Sequence, residues 1–416
     1  MLTINIICGG DELLKDKNIR NLFWGRLVST SGDSLYEIAV IWYVFELSQN
    51  AFYTGLAVAI VMIPNCFNFL LGPLIEKTNK AKVLIYAQFF QFFLMLLIPI
   101  GIGYGYESVF LVLGIMFCIS FLENFQGTAE ISVVPRIVVK EERGKFNSLI
   151  SSSQQLVDIS MKAVFAGFIL TIGVQNIYLF NALTFLVAAI FFSMLKIKST
   201  TGEAKQTTGN WEQYQSSLKT GFAYFFKSKI VFICLPFLIA NFSFGMAEAI
   251  LPVYASERGG AEQYGIVIIA ITLGNLAGSL LVVKVMRYPL GILMIVLPLL
   301  SFLLWSSSIL VSHNGISTFL LGLAFLPFGM MSILLITFLQ TSIEEHLLAR
   351  VSSIIDSMLV SAMPLGALLG GILSPVIGVG NMMLVSSTGL LAIVFYFLFN
   401  KNIRSLPKIE DIQLQE

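Results

Sequence analysis

The sequence predicts an all-α membrane protein of twelve transmembrane helices in two pseudo-symmetric six-helix bundles. Of the 416 residues, 56% are apolar and only 12% are charged, about half the charged fraction of an ordinary soluble domain. The mean hydropathy is +0.85. Apolar runs long enough to cross a bilayer also recur along the whole chain. Lipid is the solvent that such a composition requires, so the sequence indicates a polytopic membrane protein.

Twelve apolar runs have the length of a tilted spanning helix, about 19–25 residues. They cover residues 23–47, 53–72, 83–104, 108–131, 146–170, 175–195, 230–255, 263–284, 290–311, 317–340, 351–375 and 382–400. One long polar connection, residues 196–229, divides them into an N-terminal bundle at 22–195 and a C-terminal bundle at 230–400. Residues 1–21 and 401–416 are the predicted tails, and the first span is expected to act as an uncleaved insertion signal.

The basic residues predict the orientation of the chain. Of the 25 Lys and Arg residues, Arg26 and Lys162 fall within spans and Arg258 falls in an outer loop, which leaves 22 on one side. Because loops rich in Lys and Arg stay in the cytoplasm, we expect both termini to be cytoplasmic. The net charge of +1 gives no reason to expect a nucleic-acid partner, and the four cysteines lack metal-ligand spacing.

Two cytoplasmic loops repeat between the halves of the chain. Lys77-Thr-Asn-Lys80 corresponds to Lys284-Val-Met-Arg287, an offset of 207 residues, and aligning Lys145 with Arg350 gives an offset of 205. Agreement within two residues indicates a duplicated six-helix unit, repeated about an axis along the membrane normal.

A motif after the second span carries a family resemblance. The motif consists of Gly72, three intervening residues, the acid Glu76, and then Lys77 and Lys80. It resembles the loop signature of the major facilitator superfamily, which usually has Asp at the acidic position. The resemblance implies a conformational-switch role for these four residues. Within the superfamily, residues 25–29 and 32–34 look like the opening of the bacterial macrolide-efflux and siderophore-exporter type. That likeness implies a multi-pass protein of the bacterial cell membrane that works as a monomer.

Five ionisable residues within spans are the candidate proton-coupling or substrate-binding groups. Asp33 lies roughly 15 Å along the first span, near the midplane, and Glu37 shares its helix face four residues later. Glu123 is on the fourth span, and Asp158 and Lys162 lie four apart on the fifth. A charge at such a depth is costly unless it faces water or a partner. We expect Glu37, Asp158 and Lys162 to form one polar cluster, with Asp33 just below it.

Structural alternatives stay open for some of these residues. Arg26, Asp33 and Glu37 share a face, so they could form a buried ion pair that only holds helices together. Glu123 could pair with Arg136 or another base of the adjoining loop. A salt bridge is the expected role of Arg26, and Glu130, near the inner interface, is expected to be structural.

The excess of intramembrane acids favours a proton-coupled antiporter that exports an amphipathic or cationic small molecule, as in drug resistance. Its energy source is expected to be the proton gradient, and no cofactor is expected. The alternative is export of an anionic metal chelator or a lipid-like molecule that meets Lys162. The fifth span supports this alternative, because residues 160–163 lack the glycines of many proton-coupled drug exporters.

An enzyme is disfavoured because no catalytic motif occurs, and an ATP-driven pump because no phosphate-binding loop occurs. The expected partners are a small-molecule substrate, protons and the lipid bilayer.

Overall fold

The computed structural model describes residues 13–67, 70–71, 75, 78–139, 142–172, 174–196, 219, 223–228, 230–343, 345–408 and 411. Across these residues the chain is helical almost throughout, and they include no β-strand. The helices are α1 Lys17–Ser48, α2 Ala51–Met62, α3 Lys80–Gly103, α4 Val109–Ile137, α5 Arg143–Ile172, α6 Val174–Ser193, α7 Ile230–Leu281, α8 Leu290–Leu310, α9 Asn314–Ser342, α10 Glu345–Ile377, α11 Val379–Ser387, α12 Gly389–Phe399 and α13 Lys401–Arg404. Two 3₁₀ segments, Ile63–Phe67 and Val282–Lys284, extend α2 and α7.

The helices confirm the predicted all-α membrane class. Within the described ranges, eight helical segments are long and apolar enough to cross a membrane. The helices α1 and α5 have 32 and 30 residues and are also long enough, but their charged, amide and hydroxyl side chains lower their hydropathy. Helical segments occur in all twelve predicted spans, although part of the second span lies outside the described residues. The number of spans that cross the bilayer stays a prediction.

Helix α7 covers two of the predicted spans and changes direction between them. Gly259 and Gly260 have φ angles of 157° and 74° and a non-helical backbone. Residues with a side chain rarely adopt a positive φ, so this glycine pair marks the predicted outer loop.

The contacts divide the chain into two compact units. The first unit comprises residues 1–47 and 70–214, and the second comprises residues 48–69 and 215–416. This division rests on packing alone, and it places residues 48–69 in the second unit, whereas the sequence places them in the N-terminal bundle. The sequence-based division into bundles at 22–195 and 230–400, with a linker at 196–229, therefore stays a prediction.

In the first unit, two glycines of α1 allow close packing against α6. A Cβ added at Gly25 would lie 2.6 Å from the ring of Phe192, and one added at Gly32 would overlap Asn181 and Thr184. Gly32 therefore faces α6. Because successive residues of a helix point about 100° apart, this packing turns Asp33 away from α6.

In the second unit, glycines again bring helices together. Gly245 of α7 packs on the backbone of Met363 in α10, and Gly274 packs on that of Gly322 in α9. Small residues at crossings are the usual means of close helix association in lipid.

Arg258, the base predicted in an outer loop, is held by the end of α8. Its guanidinium donates to the carbonyls of Ile309 and Val311, both at 3.2 Å, and to Ser317 Oγ at 2.9 Å. It also lies 4.5 Å from the ring centre of Tyr254. A cation at a helix C-terminus is favourable, which gives this exception to the basic-residue pattern a structural role.

Candidate functional site

A salt bridge joins α1 to α4 in the first unit. Arg26 Nε lies 2.7 Å from Glu130 Oε2, and the two side chains are 17% and 7% exposed. Gln126 Nε2 donates to the other oxygen of Glu130 at 2.9 Å. The salt bridge expected for Arg26 is thus present, and its partner is the acid that was expected to be structural.

A hydrogen-bonded layer lies one helical turn beyond this salt bridge. Gln88 Nε2 of α3 donates to Ser29 Oγ at 2.8 Å and also to Gln126 Oε1. Gln126 Nε2 reaches the same hydroxyl at 3.3 Å. All three side chains are buried. The layer ties α1, α3 and α4 together through neutral groups in the interior of the first unit.

The next layer contains two of the predicted acids. Ser29 Oγ donates to Asp33 Oδ2 at 3.2 Å, and the carboxyl groups of Asp33 and Glu123 lie within hydrogen-bonding distance of each other. Among the described residues, Glu123 makes no salt bridge, so the alternative of pairing with Arg136 is not what the structure shows. Three successive pairs, 26 with 130, 29 with 126 and 33 with 123, establish that α1 and α4 run antiparallel.

The remaining predicted residues form a second charged group on α1 and α5. Lys162 Nζ lies 2.8 Å from Asp158 Oδ2, and these side chains are 19% and 31% exposed. Both charges act through space on Glu37, which is exposed. Asp33 joins Glu123 rather than this group, although the Glu37 charge also acts on it. The structure thus brings the five predicted residues together as a carboxyl pair and a neighbouring ion pair beside Glu37.

Most of the predicted conformational-switch loop cannot be placed. Gly72, Glu76 and Lys77 lie outside the described residues. Lys80 is the first residue of α3 and is buried, and Asn79 caps the helix by accepting a hydrogen bond from the backbone N–H of Lys82 at 3.2 Å. The switch role of these residues stays a prediction.

The sequence reasoning missed the neutral members of the network, Ser29, Gln88 and Gln126. One signal was available, because an amide within a spanning helix must find a hydrogen-bond partner. That signal does not say which helix supplies the partner, so only the structure identifies these residues.

Comparison with known proteins places this geometry in a family. A family model described as the Major Facilitator Superfamily matches residues 22–367. The MFS-type transporter YvqJ of Bacillus subtilis (strain 168) is 24% identical over 416 residues, covering 96% of this chain and 95% of that protein. Macrolide efflux protein A of Streptococcus pyogenes is 24% identical over 395 residues, covering 92% of this chain and 95% of that protein.

Solved structures show the same fold. The nucleoside transporter NupG superposes with a TM-score of 0.71 at 14% identity, covering 92% of this chain and 100% of that one. A D-xylose-proton symporter also gives 0.71 at 12% identity, covering 96% and 99%. The chain is a multi-pass membrane transporter, like the relatives that it matches over nearly its whole length. Because the family model spans most of the sequence, the chain belongs to the Major Facilitator Superfamily.

Proposed function

We propose that the protein is a proton-coupled exporter of an amphipathic or cationic small molecule that works by alternating access. The observation that carries the proposal is the charge of the site in the first unit. Four carboxyl groups, those of Asp33, Glu37, Glu123 and Asp158, are accompanied by one amine, that of Lys162.

The carboxyl pair supplies the chemistry of coupling. An ionised carboxylate has no hydrogen to donate, so Asp33 and Glu123 can form a hydrogen bond only when they share a proton. Proton release from the pair adds negative charge to the site and strengthens its attraction for a cation. Substrate and proton would therefore exclude each other, as antiport requires.

Two of the similar proteins support parts of the proposal, the first export and the second proton coupling. One relative is named as a macrolide efflux protein, and one structural neighbour is described as a proton symporter. The proposal includes a location in the bacterial cell membrane with both termini in the cytoplasm, action as a monomer and the proton gradient as the energy source.

The alternative substrate, an anionic chelator or lipid-like molecule, needs a free cation in the site. Lys162 is bound to Asp158 at 2.8 Å, so its charge is largely neutralised before any anion arrives. This contact weighs against the alternative.

The test is transport into proteoliposomes that are acidic inside, with a macrolide, cationic amphiphiles and siderophore-like anions as substrates. We expect wild type to accumulate a cation only while the pH gradient lasts, and Asp33→Asn to lose at least 90% of this uptake. Gln155→Leu, at an exposed position on α5, is the matched control and should transport normally. Uptake of the anions, abolished by Lys162→Ala alone, would overturn the proposal.

A further inference from the structure

Several polar atoms buried inside the first unit have no hydrogen-bond partner among the described residues, and four of them belong to Gln91, Tyr36 and Asp33. Gln91 has no exposed surface, and neither its Oε1 nor its Nε2 is bonded. The hydroxyl of Tyr36, a residue that is 2% exposed, is likewise unbonded, as is Asp33 Oδ1. Since an unsatisfied buried polar group is costly, the unbonded donors of Gln91 and Tyr36 call for a physical explanation.

The helix register places these groups at one level. Ser29 and Gln88 are bonded to each other. Helix α3 is antiparallel to α4, because the chain turns back within the short connection 104–108, and α1 is antiparallel to α4 as well, so α1 and α3 run parallel. Moving four residues from Ser29 leads to Asp33, and moving three residues from Gln88 leads to Gln91. These steps are about 6 and 4.5 Å along each axis. Gln91 is therefore level with Asp33 and, through the antiparallel α4, with Glu123.

Tyr36 lies one turn beyond Asp33 on the same helix face. The charges of Asp33 and Glu123 both act on its phenol group. The phenol and the Gln91 amide thus flank the carboxyl pair from α1 and α3, and both carry a hydrogen that no described group accepts.

The charged groups around Asp33 leave it short of donors once it is ionised. On α1, Ser29 donates to one oxygen of Asp33, and Glu37 adds negative charge. On α4, Glu130 also adds negative charge, and Glu123 is the carboxyl partner itself. The two nearby cations are already bound, Arg26 to Glu130 and Lys162 to Asp158.

Among the described residues, the other elements packed nearby contribute neutral polar groups. Helix α3 contributes the amides of Gln88 and Gln91, and α6 contributes Asn181 and Thr184 beside Gly32. An ionised pair therefore depends on neutral donors for stabilisation.

We propose that Gln91 and Tyr36 are positioning residues that donate hydrogen bonds to the Asp33–Glu123 pair after its shared proton has left. In the state described here the two carboxyl groups lie within hydrogen-bonding distance of each other, and the amide and the phenol have no acceptor among the described residues. When the proton passes to water, both donors keep their own hydrogens and turn to the two carboxylates. This inference rests on the proposed function, because coupling requires the pair to alternate between the two states.

The test is infrared titration of the purified full-length protein in detergent micelles, following the carbonyl stretch of protonated carboxyl groups. Asp33→Asn identifies the band of the pair. Removing a donor to the ionised form should preserve the protonated form to higher pH. We expect Gln91→Leu to move the loss of this band up by about one to two pH units, the effect of one hydrogen bond to a charged group. Tyr36→Phe, which removes only a hydroxyl, should move it in the same direction, and Gln155→Leu should leave it in place.

Thermal unfolding separates this role from a purely structural one. Neither donor is bonded in this state, so we expect both variants to unfold at the wild-type temperature or above, whereas a structural role predicts a lower unfolding temperature and no change in the titration. An unchanged or downward-shifted titration in Tyr36→Phe would overturn the inference, whether or not Gln91→Leu folds. The titration requires no transport. If the variants show the shift but the wild type lacks gradient-driven transport, the proposed function is refuted and the positioning role still stands.

Discussion

Breaking the Arg26–Glu130 salt bridge should destabilise the first unit strongly. The two atoms are 2.7 Å apart, and the side chains are only 17% and 7% exposed. Glu130→Gln keeps the side-chain volume and an acceptor for Gln126 but leaves the guanidinium without its anion. Arg26→Met leaves the carboxylate with the single hydrogen bond from Gln126, which is 2.9 Å long.

The magnitude follows from the enclosure of the pair. Removing one partner of a buried ion pair costs about 3–5 kcal/mol, because the other charge stays buried without compensation. Replacing both partners by neutral groups costs much less. We therefore expect each single variant to lose about 3 kcal/mol, and the double variant Arg26→Met/Glu130→Gln to lose less than either.

The assay is a double-mutant cycle on the free energy of unfolding, obtained by titrating detergent-solubilised protein with a denaturing detergent. The Lys162–Asp158 pair is the matched control, since its 2.8 Å contact is similar but its side chains are 19% and 31% exposed. Lys162→Met should cost less than about 1 kcal/mol. If the Arg26 and Glu130 variants cost no more than this control, or if their effects simply add, the burial argument is wrong.

Three further predictions concern packing and charge elsewhere in the chain. Gly245→Ala should lower the unfolding free energy of the second unit by about 1–3 kcal/mol through overlap with the Met363 backbone. Gly380→Ala, in the same unit and with no atom near the added Cβ, should not lower it in the same titration, and equal effects would contradict the packing account. Arg258→Ala should cost about 1–3 kcal/mol by leaving carbonyls at the end of α8 unbonded, and an unchanged unfolding curve would remove its structural role. Lys162→Gln should tighten equilibrium binding of a cationic substrate about fivefold, equivalent to about 1 kcal/mol, and weaker binding would contradict the charge argument.

Much of the fold follows from apolar segment length and loop charge, but the interior of the site does not. The runs around Asp33, Glu123 and Lys162 were identifiable because a charge within an apolar segment stands out. The i, i+4 spacing of Asp158 and Lys162 also anticipates their contact.

The pairing of Asp33 with Glu123 depends on the rotation of α1, which is set by the packing of Gly25 and Gly32 on α6. Depth along a span does not specify rotation about the helix axis. For this reason the sequence grouped Asp33 with the α5 residues and gave no role to Gln88.

Substrate-induced proton release tests the central claim of proton coupling most directly. Purified protein in weakly buffered detergent solution is mixed with a cationic substrate while a pH indicator reports the protons set free. If substrate displaces the proton shared by Asp33 and Glu123, wild type should release about one proton per bound cation, and Asp33→Asn should release less than a tenth of that amount while still folding. Binding without proton release in wild type, or undiminished release in Asp33→Asn, would contradict the account.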